Sequence, residues 1–426
     1  MMIQKHKIVG IVISVILGMI LAACGKAPTV EPVRIEFSFP DEDVDFYTRL
    51  ADEFHKKHPH TTVLLNPALA PGFWAVQPAS SDAFAIGTDR MKTYLDRGGL
   101  LALDPFIQTD RSFSSSDYYH GMLDLLQVDD QTWAVPLGVD MFVLFYNKDV
   151  FEQAGIELPH AGWTWDDFLN AAISLTNPDN PDHPVYGYTT TPGYSDTFAF
   201  IYAHGGQLLD DLQNPTQPTF TDPITLEALD WYANLFLIHK VALSPSEAQR
   251  QFQSNRYVYY QMVQAGNAAM WILPISNRGG IFWPEPWDFN WGMAPLPRDA
   301  FSFNLVWVDE VYAISAETNH PQETWEWVSY LSQQIHNRKI PARTSQIESD
   351  ELVDFTGEDA AELIRSTVEF AKPVSIWLFI DFDEAMEIFS AAVEKIIEGE
   401  LTPAEAMEEA QFQALEGLRV QNENQP

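Results

Sequence analysis

The stretch that decides the fold is WAVPLGVDMFVLFYNKDVFEQAGI, residues 133–156. Two extended, mostly apolar pieces flank Gly138-Val139-Asp140, and the second reads through to Asn147 without a charge. The residues after it predict a short helix that ends at Gly155, since glycine is the usual residue just past a helix end. The stretch therefore predicts a buried strand followed by a helix.

Helix starts are signalled on both sides of the chain's midpoint. In WTWDDFLNAAISLT (163–176), Thr164 stands at the N-cap and Asp167 three residues later, and the flanking Trp163 and Phe168 can pack as a hydrophobic staple. Asp222-Pro223 places a proline at a first helical position. Thr402-Pro403-Ala404-Glu405 predicts another capping box near the C-terminus.

Strands and helices alternate in the N-terminal part. VRIEFSF (33–39), TTVLL (61–65) and SDAFAIG (81–87) have strand character. Phe46, Leu50 and Phe54 recur at helical spacing between the first two. This alternation predicts an α/β fold with mainly parallel sheets flanked by helices.

Composition excludes several classes of protein. The 426 residues carry a formal net charge of −36 and one cysteine. So acidic a chain repels nucleic acid, and a single cysteine allows no internal disulfide. A chain of this length is expected to divide into two lobes, each stabilised by its own apolar core.

The N-terminus predicts export and lipidation. Lys5 and Lys7 precede an almost wholly apolar run, Ile8 to Leu21, and Leu21-Ala22-Ala23 stands directly before Cys24. This layout is typical of a signal peptide over 1–23, and the cysteine after Leu-Ala-Ala resembles the bacterial lipobox, with 24–33 as a lipidated tether. The alternatives are an uncleaved membrane anchor and an ordinary signal peptide with a chance cysteine.

A series of segments carries a family resemblance. VPLGVDMFVLFYNKDVFEQAGI and WTWDDFLNAAISLT come first, and six others follow in order over nearly the whole mature chain: AHGGQLLDDLQNPTQPTFTDPITLEALDWYANL (203–235), AGNAAMWI (265–272), WGMAPLPRD (291–299), VYAISAETNHPQETWEWVSYLS (311–332), IPARTS (340–345) and IIEGELTPAEAMEEAQ (396–411). Together they resemble the extracellular solute-binding proteins of ABC importers, specifically the sugar-binding group that includes maltose-binding proteins.

The resemblance implies a two-lobed fold like that of periplasmic binding proteins, with ligand held in the cleft and three hinge crossings. The crossings would fall near Gly138–Met141, Gly292–Leu296 and Pro341–Ser345. Lobe one would comprise 34–138 plus 297–340, and lobe two 142–291 plus 346–426. The implied partners are a carbohydrate and the permease subunits of an ABC transporter. The implied location is the outer face of the cell membrane, or the periplasm in a cell with two membranes. A monomer without a cofactor is expected.

Tryptophan is concentrated where the ligand is expected. Five of the 13 tryptophans lie within 37 residues: Trp271, Trp283, Trp287, Trp291 and Trp307. Aromatic rings can stack on the C–H faces of a sugar. Packing in the core or between the lobes is the alternative for each. The segment after AAMW lines the cleft in the family, which favours Trp283 and Trp287 as stacking residues, with Trp271 and Trp307 also candidates.

Polar candidates follow strand ends or lie at the crossings. They are Asp89, Asp140, Asp309, Glu310 and Arg343. Carboxylates and guanidinium groups suit sugar hydroxyls, and Asp140 matches a family contact. For each acid the alternative is a helix cap or a solvated loop charge.

Departures from the family pattern also fall at the ligand. The segment NLVWVDEVYAI replaces a Gly-rich run, so that the bulky Trp307 could narrow the cleft. AMWILPISN lacks the usual Gly-Pro-Trp.

Rival functions find less support in the residues. The sequence has none of the usual hydrolase, zinc-protease or nucleotide-binding motifs, so an enzyme is not expected, with a secreted glycoside-acting enzyme as the remote alternative. The His55, His58 and His60 group is interpreted as solvated surface, and no metal site is predicted. Within the binding class, a cationic solute such as a polyamine is the alternative to a sugar, because acids with aromatic walls also suit ammonium groups.

Overall fold

The computed structural model describes residues 32–68, 81–180, 183–190, 195–212, 215–252, 258–280, 286–298, 303–308, 310–336, 339–374 and 382–424. Among these residues no helix combines the length and the apolar character needed to cross a bilayer. The described part of the chain also contains no group of three or more His, Cys, Asp or Glu side chains placed to hold a metal ion.

The strands of the described chain build two main sheets and a small hairpin. In chain order they are β1 (Val33–Pro40), β2 (Thr61–Ala68), β3 (Ala83–Gly87), β4 (Gln127–Val128), β5 (Gln131–Thr132), β6 (Ala134–Pro136), β7 (Asp140–Asn147), β8 (Tyr186–Tyr188), β9 (Ala268–Pro274), β10 (Trp291–Ala294), β11 (Asn304–Trp307), β12 (Glu310–Ile314) and β13 (Ala371–Pro373). The first sheet has the order β2-β1-β3-β12-β6, and the second has β13-β11-β7-β9-β8 with β10 also paired to β7.

Helices connect and cover the sheets. The described α-helices are α1 (Val44–Lys57), α2 (Thr88–Asp96), α3 (Asp104–Ile107), α4 (Lys148–Ala154), α5 (Trp165–Leu175), α6 (Ser195–Ala203), α7 (Pro223–Leu237), α8 (Pro245–Phe252), α9 (Val258–Gln264), α10 (Pro321–Leu331), α11 (Thr344–Ile347), α12 (Asp350–Thr356), α13 (Glu358–Val368), α14 (Asp383–Ile397) and α15 (Pro403–Asn424).

Strand β7 explains why the second sheet forms. All eight of its residues are buried. Because successive side chains point to opposite faces, Met141, Val143 and Phe145 join one apolar core, while Phe142 and Leu144 join another. A strand this apolar is stable only when both faces of its sheet are covered, here by the packed helices.

The predicted helix starts are confirmed. Thr164 caps α5, and its reciprocal bonds with Asp167 complete the capping box. Asp222 caps α7 through the backbone N–H groups of Ile224 and Thr225. Thr402 makes the same box-type bonds with Glu405 at α15. These local signals are reliable because the partners are two or three residues away.

The α/β fold is confirmed, but the sheets are mixed rather than mainly parallel. Strand β1 runs parallel to β2 and β3, whereas β12 runs antiparallel to β3 and β6. In the second sheet β7 is antiparallel to β9, β10 and β11. The reason is connectivity: the chain returns from the second sheet at Glu310, where β3 ends at Gly87, so β12 must run back against it.

Two of the predicted lobe boundaries differ from the strand pairing. The expectation placed a crossing at 292–296 and assigned 297–340 to lobe one. Instead, β10 (291–294) pairs with β7, and β11 (304–307) pairs with β7 and β13, all inside the second sheet. The chain therefore passes between the sheets after Trp307, before β12 begins. The other passages lie between β6 and β7 and between α10 and α11.

Candidate functional site

The three passages between the sheets are in direct contact. Val139 donates its N–H to the Ile340 carbonyl (2.8 Å), and Ile340 donates back to the Val139 carbonyl (3.1 Å). Leu137 donates to the Glu310 carbonyl over 3.1 Å. We call the group Gly138, Asp140, Trp307, Glu310 and Lys339 the crossing site, since all five lie on these passages or at the strand ends that adjoin them.

Glu310 and Lys339 form the charged part of the crossing site on the first sheet. The Lys339 Nζ lies 2.9 Å from the Glu310 Oε1, and both side chains are only 2% exposed. A second buried pair, His336 with Asp43, lies on the same lobe at 3.4 Å. The Glu310 and Lys339 charges are tolerated in the core because they are paired, whereas an unpaired buried ion is strongly destabilising.

Arg343 is held by lobe one through several contacts. Its Nε donates to the Ser332 carbonyl and its Nη2 to the Ser332 hydroxyl, both at 2.9 Å. The guanidinium lies over Phe113 and Tyr118, 4.8 and 4.5 Å from the ring centroids. These contacts use most of the guanidinium surface, so Arg343 anchors the third passage in this conformation.

Asp117 completes the anchor beneath Arg343. Partial burial opposes ionisation of this carboxyl, but hydrogen bonds from the Ser345 hydroxyl and N–H, together with the nearby Arg343 charge, outweigh it and lower its pKa. The carboxylate is therefore ionised at neutral pH and faces the buried cation.

Asp140 and Trp307 form the edge of the second sheet at the crossing site. They are opposite residues on β7 and β11. Asp140 is 2% exposed, and its Oδ1 accepts the N–H of Met141 (2.9 Å) and of Ser276 (3.3 Å). Trp307 is half-buried, with its ring 4.9 Å from that of Phe142. An oriented carboxylate and a half-buried indole thus stand opposite each other on neighbouring strands, and groups of these two kinds suit sugar hydroxyls and C–H faces.

Two residues at the crossing site have functions that no local sequence pattern predicts. Ser276, Asn277 and Arg278 follow β9, and Ser276 orients Asp140 through its backbone. Lys339, on the other lobe, lies in no sequence motif that would predict its ion pair. The two roles depend on contacts between residues 29 and 136 positions apart, which a single sequence does not display.

Trp271 and Trp287 lie elsewhere. Trp271 is opposite Phe145 on β7, five residues from Asp140, which is about 17 Å along a strand. Trp271 is 0% exposed and Trp287 6% exposed. With Phe145, Phe289 and Trp291 they form a packed group that we call the tryptophan cluster. In this conformation the structure does not bring these two tryptophans together with Asp140.

Comparison with known proteins identifies the family. Residues 41–334, more than half of the chain, match the family described as bacterial extracellular solute-binding protein. The chain belongs to this family. It is therefore a solute-binding protein rather than an enzyme, and its family is named for an extracellular location.

Individual relatives are distant. The arabinooligosaccharide-binding protein of Halalkalibacterium halodurans is 25% identical over 163 residues, which are 38% of this chain and 34% of that protein. The match thus spans about a third of that relative's length.

Two solved structures share the fold of this solute-binding protein. An ABC substrate-binding protein of Listeria monocytogenes in complex with cycloalternan is 20% identical, with a TM-score of 0.68 over 91% of this chain and 99% of that chain. UgpB of Mycobacterium tuberculosis in complex with glycerophosphocholine is 18% identical, with a TM-score of 0.70 over 93% of this chain and all of that chain.

The remaining predicted residues of this solute-binding protein cannot be placed in the site. Trp283, Asp309 and Cys24 lie outside the described residues. Asp89 follows β3 in the first turn of α2, and its side chain is also outside the described part.

A separate cavity of about 310 Å³ lies at the opposite end of β11. Its lining includes Phe303, Asn304 and Phe370, and Arg298 covers the Phe370 ring at 3.7 Å. None of the predicted ligand residues that the structure describes lines this cavity. Asp140 and Trp307 of the crossing site are therefore separate from it.

Proposed function

We propose that this protein is the lipid-anchored, extracytoplasmic binding component of an ABC importer, and that it captures a sugar or oligosaccharide between its lobes for delivery to the permease. The observation that carries the proposal is the pairing of Asp140 with Trp307 at the end of the second sheet, directly beside the passages between the sheets. The arabinooligosaccharide-binding relative and the cycloalternan complex support a carbohydrate.

The proposed contacts divide into two groups. Asp140 accepts ligand hydroxyls and Trp307 offers its ring. Asp89, Asp309 and Trp283 stay predicted ligand contacts that rest on the family resemblance. Glu310 and Arg343 support it from beneath, because their charges are matched inside lobe one. Trp271 and Trp287 support lobe two from its core.

A cationic solute is the second candidate. Glycerophosphocholine, the ligand named for the Mycobacterium tuberculosis structure, carries a quaternary ammonium group. A carboxylate next to an indole also suits such a group, through ion pairing and cation–π attraction. The Asp140–Trp307 pair is therefore chemically suited to either ligand class.

A thermal-shift panel tests the ligand class. The solutes are arabinotriose, maltotriose, mannitol, glycerophosphocholine and spermidine. A ligand at 100 times its Kd stabilises by about 2.7 kcal/mol, which gives a clear shift in Tm. The proposal expects a shift with a carbohydrate whose affinity changes little with salt. A shift with spermidine alone, lost at high salt, would establish the cationic alternative.

Lipid anchoring through Cys24 is a separate part of the proposal. Cys24→Ala is expected to release or misprocess the protein, while Ala27→Ser, just beyond the cysteine, leaves it in the membrane fraction. Fractionation of cells and gel mobility measure both. Membrane retention of Cys24→Ala with the mobility of the wild type would contradict the anchor.

A monomer is also proposed. Light scattering after gel filtration is expected to give the mass of one chain, and a concentration-dependent mass near twice that value would contradict it.

A further inference from the structure

Each of the three passages between the sheets contains or contacts Lys339 or the next residue, Ile340. The first passage binds Ile340 through the two hydrogen bonds of Val139. The second ends at Glu310, whose carboxylate holds the Lys339 ammonium at 2.9 Å. The third contains Lys339 itself. The point at which the lobes are joined is thus centred on one buried cation.

Gly138 allows this convergence. A Cβ at position 138 would lie 2.5 Å from the Lys339 Cβ and 2.9 Å from the Ile340 carbonyl oxygen. Real side chains do not approach so closely, so any residue other than glycine would push the first passage away from the third. The first passage therefore lies directly on the backbone and stem of Lys339.

Stability alone does not explain a buried ion pair here. Replacing such a pair with apolar side chains of similar volume is often neutral or stabilising, because folding then no longer has to remove two ions from water. The best-attested benefit of buried polar groups is that they select one arrangement over its neighbours. At this junction the ion pair would select one register of the three chain passages, which must stay aligned while the lobes move.

We propose that the Glu310–Lys339 pair is the fixed pivot of the lobes, with Gly138 as the surface that lies against it. The pair is a positioning device: it holds Leu137, Val139 and Ile340 in one register, and so sets where Asp140 and Trp307 stand relative to lobe one. The inference rests on the proposed capture of solute between the lobes. Its test needs no solute, so the two can fail separately.

Amide hydrogen exchange on the ligand-free protein tests the pivot. In the wild type, the N–H groups of Val139 and Ile340 are expected to exchange as slowly as those of central β7, that is, only through global unfolding. Faster exchange there than in β7 would mean that the passages open locally, which would overturn the pivot.

Variants isolate the role of the charges. In Lys339→Met/Glu310→Met both ions are removed together, so no buried charge is left alone. Exchange at Leu137, Val139 and Ile340 is expected to accelerate at least tenfold, while exchange at Val143 and Leu144 stays within twofold of the wild type. Unchanged exchange at the three passages, or an equal increase at every amide, would show that the pair has no pivoting role.

Gly138→Ala provides a second route that leaves both charges in place. It is expected to accelerate exchange at the same three amides by displacing the first passage from Lys339. The control is Gly417→Ala in α15, where the nearest atom to a Cβ is a flexible Glu384 carboxylate at 3.4 Å, and exchange at the passages should not change. Identical exchange in Gly138→Ala and the control would contradict the proposal.

Discussion

The tryptophan cluster and the crossing site both contain residues that the sequence predicted to bind ligand, yet they differ in what stabilises them. In the tryptophan cluster, Trp271 and Trp287 pack perpendicular to each other at 5.0 Å, and Phe145 closes the group at 5.1 Å from Trp287. The crossing site instead contains a carboxylate held by backbone N–H groups and a matched ion pair. The closely packed aromatic rings therefore belong to the core of lobe two, whereas the candidate site consists of polar and aromatic residues at strand ends.

The difference teaches that residue type alone cannot separate a binding wall from a core. Burying a tryptophan removes a large apolar area from water, which stabilises the fold whatever the ligand. A buried carboxylate offers no such gain and needs partners. Asp140 is therefore the stronger indication of function, and substitutions in the two regions should have different consequences.

Trp271→Ala should have the largest effect and should act on stability. Its indole is fully buried, and truncating a core tryptophan costs about 3–5 kcal/mol through lost burial and the cavity left behind. Urea denaturation measures the loss. Trp291→Ala, at a half-buried position of the same cluster, should cost less. Native stability in Trp271→Ala with loss of solute binding would reverse the assignment of the two regions.

Asp140→Asn should act on affinity rather than stability. The amide oxygen can still accept the N–H groups of Met141 and Ser276, but the charge that meets a ligand hydroxyl is gone, at a cost of about 1.5–3 kcal/mol in binding. Titration calorimetry with the solute found in the thermal-shift panel measures it. Asp166→Asn, an exposed acid of α5, is the matched control. Equal affinities in the two variants would remove Asp140 from the site.

Gly138→Ala should destabilise the crossing site moderately. Forcing a methyl group into a space that is 2.5 Å from the Lys339 Cβ is overpacking, which costs about 1–3 kcal/mol. Gly417→Ala in α15 should instead be neutral or stabilise by about 0.5–1 kcal/mol, because alanine is the better helix former. Chemical denaturation compares them, and a Gly138→Ala protein as stable as the wild type would show that the passages are not tightly packed.

Asp117→Asn should cause the smallest loss of stability, and the size of that loss should depend on pH. Since the pKa of Asp117 in the folded protein lies below the ordinary value of 3.8, its contribution is present above that value and is lost as the pH falls through the folded pKa. Asp117→Asn should therefore cost about 1 kcal/mol at pH 7, and the difference from the wild type should shrink below pH 4. A difference that is constant from pH 7 to pH 3 would exclude an ionised Asp117 as the anchor of Arg343.

Local signals in the sequence predicted much of the fold. The apolar run of β7 and the capping boxes at Thr164 and Thr402 predicted elements that the structure confirms, because each depends on neighbours within a few residues. Strand β11 was assigned to the other lobe, since four residues carry too little pattern to show which sheet they join.

The candidate site was predicted less completely. Asp140 could be singled out because its position at the first crossing matches a ligand contact of the family that the sequence resembles. Lys339 and Ser276 could not, because their partners Glu310 and Asp140 are 29 and 136 residues away in the chain. Trp271 and Trp287 are residues of the type that stacks on sugars, but the register of β9 on β7 places Trp271 opposite Phe145, and Trp287 packs against both of those rings.

Small-angle X-ray scattering with and without the solute found in the thermal-shift panel tests the central claim most directly. If the solute is captured between the lobes at the crossing site, a saturating concentration of solute should reduce the radius of gyration of the wild-type protein. The reason is that lobes closing on a hinge bring their masses together. Asp166→Asn should contract in the same way at the same concentration. An unchanged radius of gyration in saturated wild-type protein would contradict capture between the lobes.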